Sequence, residues 1–392
     1  MLSIALAGKP NAGKSTFYTA ATMADVDVGN YPFTTIDANR GVSHVRTECP
    51  CLDREERCGD DNCRDGKRYV PVELIDVAGL VPGAHEGKGL GNQFLTDLNE
   101  ADVLVHVVDF TGETDLEGEP TEDHDPREDI DFLEDELDMW YLDILEKGIE
   151  RYRSGYHGED KAIEDDLAEQ MSAFKINADE IKQVVLALDL ELDPDTWDDE
   201  DRQALAREIR IRTKPMLIAA NKMDTPEAQA NWETVTEDPA YEHLTFVPVS
   251  AHAEKALKNG NEQGVLDYRP GDEDFTVTAD LPEGKAAGLE QIRDFVTEFG
   301  GTGVQQALET ALFEELGAIA VFPGARKPQE DGTFLQDCFV LPDGSTAEDF
   351  AYFLHTDIGE GFLHAHDVRT ERQIGADTEL DHRDVVEITT TN

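Results

Sequence analysis

Near the amino terminus, Gly8-Lys9-Pro10-Asn11-Ala12-Gly13-Lys14-Ser15 sets two glycines, a lysine and a hydroxyl at the spacing G-x-x-x-x-G-K-[ST]. That spacing suits a loop that cradles a polyphosphate. Gly8 and Gly13 allow backbone conformations closed to other residues, so successive N–H groups turn inward around an anion. Lys14 would reach the β- and γ-phosphates, and the Ser15 hydroxyl would ligate Mg²⁺. The apolar run Leu2–Ala7 reads as the buried strand such a loop must follow, and Lys14–Met23 as the helix after it. The positive end of that helix points at the same anion.

A phosphate loop leaves the base open. Asn221-Lys222-Met223-Asp224 follows the apolar strand Met216–Ala220 and narrows it. The Asp224 carboxylate can accept from N1–H and the exocyclic amine of guanine, a donor pair that adenine lacks on that edge. An adenine there would leave the carboxylate unpaired. The Lys222 stem can lie over the ring, and Asn221 can tie this loop to the phosphate loop. Ser250-Ala251, after the next strand, would offer the Ala251 N–H to guanine O6. Asp76-Val77-Ala78-Gly79 ends another strand; Asp76 would hold Mg²⁺ through water and the Gly79 N–H would meet the γ-phosphate. In Pro32-Phe33-Thr34-Thr35-Ile36, one threonine hydroxyl, assigned to Thr35 with Thr34 as the alternative, would complete the Mg²⁺ shell.

Cys49, Cys51, Cys58 and Cys63 form C-x-C-x₆-C-x₄-C in a polar loop. Four thiolates could enclose Zn²⁺ tetrahedrally, with free thiols or labile disulfides as the alternative.

The elements that must position these groups are legible as strand-like runs at Leu2–Ala7, Val70–Ile75, Val103–Val108, Met216–Ala220 and Phe246–Val249, mostly separated by helical patterns. Gly41–Arg46 is expected to pair beside Val70–Ile75. This predicts an α/β fold, a mostly parallel sheet with helices on both faces and nucleotide at the carboxyl ends of the strands. From Pro120 to about Arg207 the pattern is helical, with Ile130, Leu133, Leu137, Trp140, Tyr141, Ile144 and Leu145 at three- and four-residue steps. With a break at Ser154–Gly158, that predicts an inserted helical hairpin. Beyond Gly317 short strands take over; turns at Asp331-Gly332-Thr333 and Pro342-Asp343-Gly344-Ser345 read as hairpins, and Ala347–Leu354 as one helix.

The 392 residues include 86 acidic and 33 basic side chains, a formal net charge of −53. The acidic excess runs along the whole chain, which suits a solvated surface adapted to a very salty cytoplasm, where self-repulsion is screened. No basic patch argues for nucleic acid, nor does net charge exclude it in such salt. The sequence has no apolar run long enough to span a membrane, and Met1 leads straight into the first strand, so a cytoplasmic protein is expected.

Taken in order, Gly8-x-Pro10-Asn11-x-Gly13-Lys14-Ser15, Tyr31-Pro32-Phe33-Thr34-Thr35 and Asp76–Ala84 resemble the Obg family of GTPases. Gly87-Lys88-Gly89-Leu90-Gly91-Asn92-Gln93-Phe94-Leu95 and the helical insert point to its YchF-type branch. Leu341–Thr346 and His355–Gly359 resemble a TGS domain, a small α+β unit of ubiquitin-like β-grasp fold. The resemblance implies a phosphate-loop G domain at 1–119 and 208–316 with a Cys-rich loop at 47–68, a helical insertion at 120–207 and a TGS domain at 317–392.

It also implies a GTP-hydrolysing switch with Mg²⁺, associated with the ribosome or RNA through its TGS and helical domains; a monomer is expected. Many YchF proteins carry a degraded base motif and prefer ATP; retention of Asn221, Lys222 and Asp224 favours GTP. The alternatives are an ATP-hydrolysing protein or a nucleotide-stabilised, non-catalytic adaptor. The nucleotide set is then Gly8, Pro10, Asn11, Ala12, Gly13, Lys14, Ser15 and Thr16, with Asn221, Lys222, Asp224, Ser250 and Ala251 for the base. Leu80 stands where many GTPases place a water-orienting glutamine, so slow turnover without a partner is expected. Asn11 matches an asparagine that in related GTPases helps hold K⁺; it could instead brace its loop. His106 matches a strand histidine proposed for catalysis in relatives, although a histidine in a buried strand is more often a core residue.

Overall fold

The computed structural model describes residues 1–22, 39–53, 58, 62–77, 98–154, 162–324 and 337–391. Thr34, Thr35, Gly79, Leu80, the stretch 87–95, the break at 155–158 and the turn at 331–333 lie outside the described residues. The chain divides into two units, Met1–Ile4 with Thr16–Ile75 and His252–Asn392, and Ala5–Ser15 with Asp76–Ala251.

The second of these carries the phosphate loop. Strand β1 (Ser3–Ala7) is buried throughout its length and supplies its last residues here, beside β5 (Val103–Asp109). Strands β6 (Met216–Asn221) and β7 (Thr245–Pro248) extend the sheet in the order β1-β5-β6-β7, with β5–β6 and β6–β7 parallel. Runs such as Val103–Val108 are apolar on both faces, as strands covered on both sides must be. Helix α1 (Lys14–Thr22) follows the loop directly.

The inserted region is built from α2 (Pro126–Arg153), α3 (Ile163–Gln170), α4 (Ala178–Ala187) and α5 (Asp199–Thr213). The expected hairpin is therefore more broken than its periodicity suggests. Its second arm stops at Gln170, passes through a left-handed Lys175, and restarts behind an Asn177–Glu180 capping box. Tyr141, Leu145 and Ile149 pack with Leu167, Ile181, Val185, Leu205 and Ile209 in one core. The Tyr141 and Phe174 rings stack at 4.1 Å.

In the other unit β2 (Arg40–Glu48) pairs antiparallel with β4 (Lys67–Asp76), from Arg40 opposite Ile75 to Glu48 opposite Lys67. The pairing runs farther than the expected Gly41–Arg46. Its far end holds the cysteines, where the short β3 (Cys63–Arg64) pairs with β4. Strands β8 (Leu266–Asp267) and β9 (Thr276–Val277) form a separate antiparallel pair. The carboxyl-terminal sheet has the order β11-β10-β14-β12-β13, built from β10 (Ile319–Pro323), β11 (Phe339–Leu341), β12 (Phe362–Asp367), β13 (Arg372–Ile374) and β14 (Val385–Thr390).

Ile319, Val321, Ala365 and Val386 from this sheet pack with Phe350 of the helix Ala347–Leu354. The turn at Pro342–Ser345 does not close a hairpin. It delivers the chain into that helix, because Thr346 and Asp349 form a capping box there.

Candidate nucleotide-binding site

The loop after β1 turns on positive φ values at Gly8 (141°), Asn11 (63°) and Gly13 (100°). Neither glycine has room for a side chain. A Cβ on Gly8 would lie 2.4 Å from the Val107 carbonyl oxygen, and one on Gly13 would lie 2.2 Å from Asn221 Nδ2. Close backbone approach and left-handed geometry thus coincide, the situation only glycine meets without strain. Lys14 is buried, and its ammonium donates to the Gly8 and Lys9 carbonyls at 2.9 and 3.1 Å. Burial lowers its pKa, partly offset by the Asp76 carboxylate. Asp76 in turn is raised by burial and drawn back by Lys14. Ser15 is exposed at the start of α1.

The base motif is tied to this loop through Asn221. Its Nδ2 donates to the Ala12 carbonyl at 2.9 Å, and its Oδ1 accepts from the Ala251 N–H at 3.2 Å. One buried side chain therefore fixes the phosphate loop and the Ser250-Ala251 turn together. The Ala251 N–H, expected to face guanine O6, is directed to Asn221 instead. Lys222 adopts φ 65° and donates to Asp109 Oδ2 at 2.8 Å. Asp109 also accepts from the Thr111 and Thr114 hydroxyls. Burial pushes its carboxyl up, but these donors outweigh it and hold the pKa below the ordinary value. Asp224 is exposed one residue before Thr225, whose side chain caps the helix Pro226–Thr236. A carboxylate so placed can meet the edge of a base from solvent.

Two contacts were not anticipated from sequence. Lys9, 2 % exposed, donates to the Thr114 carbonyl at 2.6 Å and pairs with Asp129 at 2.9 Å, in the first turn of α2. His124 shares that carboxylate at 2.8 Å. Burial raises the Asp129 pKa, and Lys9 and His124 pull against it. The phosphate loop is thereby ion-paired to helix α2. Nothing in sequence spacing links Lys9 to the Thr114 carbonyl or to Asp129.

Asn11 donates from Nδ2 to the Gly118 carbonyl at 2.9 Å, bracing the loop and leaving its carbonyl oxygen as the atom a cation would use. His106 lies inside the sheet, with Cδ2 3.6 Å from the position of a Gly8 Cβ. Burial, with lesser contributions from neighbouring charges, depresses its pKa to about 3. Its Nδ1 makes no hydrogen bond among the described residues. The ring is neutral at ordinary pH.

A glycine loop between a buried strand and a helix, a buried lysine within it, and a base-reading loop anchored to it define a phosphate-loop nucleotide-binding protein of the GTPase class. Residues 3–142 match the family model described as 50S ribosome-binding GTPase. Residues 219–325 match that of the Obg-like GTPase YGR210-like, G4 motif-containing domain, and residues 320–390 that of the TGS domain.

The chain is 41% identical to a GTP-binding protein of Methanocaldococcus jannaschii over 99% of both chains. It is 30% identical to the ribosome-binding ATPase YchF of Escherichia coli over 93% of this chain and 88% of that one. A crystal structure of a GTP-binding protein from Pyrococcus horikoshii matches the whole of both chains with a TM-score of 0.75 at 34% identity. The structure of the Schizosaccharomyces pombe YchF GTPase shares the fold, with a TM-score of 0.59 at 19% identity over 99% of this chain and 97% of that one. The chain belongs to the YchF-type branch of the Obg-like GTPases, and is a GTP-binding protein with a carboxyl-terminal TGS domain.

Proposed function

We propose that the chain hydrolyses GTP to GDP and phosphate with Mg²⁺, and that this reaction works a switch on the ribosome. The observation that carries it is the Asn221 side chain, bonded to Ala12 and to Ala251, which sets the guanine-reading loop at a fixed distance from the phosphate loop. Lys14 is assigned to the β- and γ-phosphates. The Gly8–Thr16 backbone cradles them, and the Gly79 N–H is assigned to the γ-phosphate.

Ser15, Thr35 and Asp76 offer hydroxyl and carboxylate oxygens, a hard donor set that fits Mg²⁺. Bound there, the ion would neutralise charge on the β- and γ-phosphates. Bacterial relatives are named ribosome-binding ATPases. The ribosomal partner is carried over from them, and GTP is preferred to ATP because Asn221, Lys222 and Asp224 are all present.

Leu80 offers no group to orient the attacking water, so turnover is slow until a partner or K⁺ at Asn11 assists. His106, buried and neutral, is assigned to the core rather than to proton transfer. The helical insertion at 120–207 and the TGS domain at 317–392 report the nucleotide state, in a monomer working in a salt-rich cytoplasm. No helix among the described residues is long and apolar enough to cross a membrane.

Single-turnover hydrolysis of GTP and ATP, with and without ribosomes, in KCl and in NaCl, tests these assignments. GTP turnover that exceeds ATP turnover and rises with ribosomes is expected. No turnover of either nucleotide in any condition rejects the enzyme and leaves the adaptor; ATP turnover alone leaves the ATP-hydrolysing alternative. Equal rates in KCl and NaCl reject the role of Asn11.

A further inference from the structure

The four cysteines expected to lie in a polar loop converge at the far end of the β2–β4 pairing. Cys49 follows β2, Cys51 lies in the single-turn helix Pro50–Asp53, and Cys63 opens β3 opposite Arg68. The Cys49 N–H donates to the Gly66 carbonyl at 2.7 Å, which folds the turn back on the β3–β4 connection. Cys49, Cys51 and Cys58 are buried and Cys63 is half-buried.

Their sulfurs all lie within 4.8 Å of one another, with Cys49–Cys58 at 3.8 Å and Cys51–Cys63 at 3.7 Å. None is in a disulfide, which would need about 2.0 Å. A tetrahedron with metal–sulfur bonds of about 2.3 Å has edges of about 3.8 Å, since an edge is about 1.63 times the distance from centre to corner. A polynuclear iron–sulfur cluster would spread its four thiolates over two or four irons, so that sulfurs on different irons lie farther apart than these do.

The surroundings suit a thiolate centre. Arg68, 1 % exposed, approaches Cys58 Sγ at 3.5 Å and Cys49 Sγ at 3.9 Å with Nη2. A metal with four thiolates carries net negative charge, and a buried guanidinium beside the sulfurs opposes it. The same guanidinium carbon lies 5.7 Å from the centre of the Phe322 ring in β10. Two residues past Cys51, Asp53 pairs with Arg369 at 3.4 Å and with Arg383 at 3.8 Å, and Arg383 also pairs with Glu48 at 3.1 Å. The thiol cluster is thus framed by contacts to the carboxyl-terminal domain of its own unit.

We propose that Cys49, Cys51, Cys58 and Cys63 bind one Zn²⁺ in a closed tetrathiolate site, and that this site holds the β2–β4 tip in place as the seat of the TGS domain. Four protein ligands leave no open position, so the metal is structural rather than catalytic. It supplies to a polar loop the cross-link that an apolar core cannot.

Metal analysis of the full chain purified without chelator is expected to give one zinc per chain, and Cys58→Ser and Cys51→Ser to lower this at least about tenfold. Replacement by Co²⁺ is expected to give the sulfur-to-metal charge-transfer and visible bands of a tetrahedral tetrathiolate. Arg68→Met is expected to weaken Zn²⁺ binding about 10- to 100-fold, with Arg68→Lys recovering part of the loss. Absence of zinc together with absence of cobalt bands, bound iron, or disulfides among these cysteines overturns the site. Chelation of the full chain tests the docking role by hydrogen exchange. Faster exchange in both 49–64 and β10 supports it; metal loss that leaves β10 protection unchanged overturns it.

Discussion

The nucleotide loop and the cysteine cluster each bring several side chains to one point, yet the chain assembles them in different ways. The loop takes its phosphate-facing groups from one continuous stretch, and Lys14 is fixed by carbonyls only a few residues away. The cysteines come from a strand end, a turn and a second strand, and converge because β2 and β3 both pair with β4. A local motif is legible from spacing alone. A motif assembled by strand register becomes legible only once the pairing is known. The two should also fail independently, and that independence can be tested.

The largest effect is expected from Lys14→Ala. Removing a preorganised cation from a buried phosphate site costs about 10²–10³-fold in rate by analogy with other preorganised donors. Single-turnover GTP hydrolysis should fall by that order while zinc content stays at the wild-type level. A parallel loss of zinc would show that the two regions are coupled, and would break the comparison.

Asn221→Ala comes next. It removes one buried donor and one buried acceptor, leaving the Ala12 carbonyl and the Ala251 N–H to find new partners. Each unsatisfied group costs about 1–3 kcal/mol. GTP affinity measured by calorimetry should fall about 10- to 100-fold. Asp224→Asn should instead act on choice of base, since an amide can donate where the carboxylate accepted. Weaker GTP binding with a gain for xanthosine triphosphate is expected in competition assays. Unchanged GTP affinity in that variant would remove Asp224 from base recognition.

These contrasts indicate how far sequence could reach. The strand-loop-helix around Lys14 was readable because a two-glycine spacing and an apolar run fall within a few residues of one another. The tie from Asn221 to the phosphate loop was readable from motif order. The Ala251 N–H was assigned to the base, and the structure gives it to Asn221, because a side-chain acceptor across the turn cannot be seen in a tripeptide. The Lys9–Asp129 pair is hidden in the sequence for a related reason. Its two residues stand 120 positions apart, and only the arrival of α2 brings Asp129 to Lys9. Similarly, Pro342–Ser345 carries hairpin residues, and it was the Thr346 cap that decided in favour of a helix.

The smallest effect, and the sharpest on mechanism, concerns His106. Burial depresses its pKa from 6.5 to about 3, so the folded ring stays neutral over a range in which an unfolded one takes up a proton. The associated stability is fully present above about pH 6.5 and is lost as pH falls toward about 3. For one such group the slope is about 1.4 kcal/mol per pH unit within that window. His106→Leu should therefore flatten the acid-side decline, narrowing the stability difference between pH 7.5 and pH 5.5 by about 1 kcal/mol in urea titrations. Its GTP turnover at pH 7.5 should stay within about twofold of wild type, since general acid–base catalysis contributes about 10²–10⁴-fold where it operates. A tenfold loss of turnover with an unchanged acid slope would move His106 from the core to the chemistry.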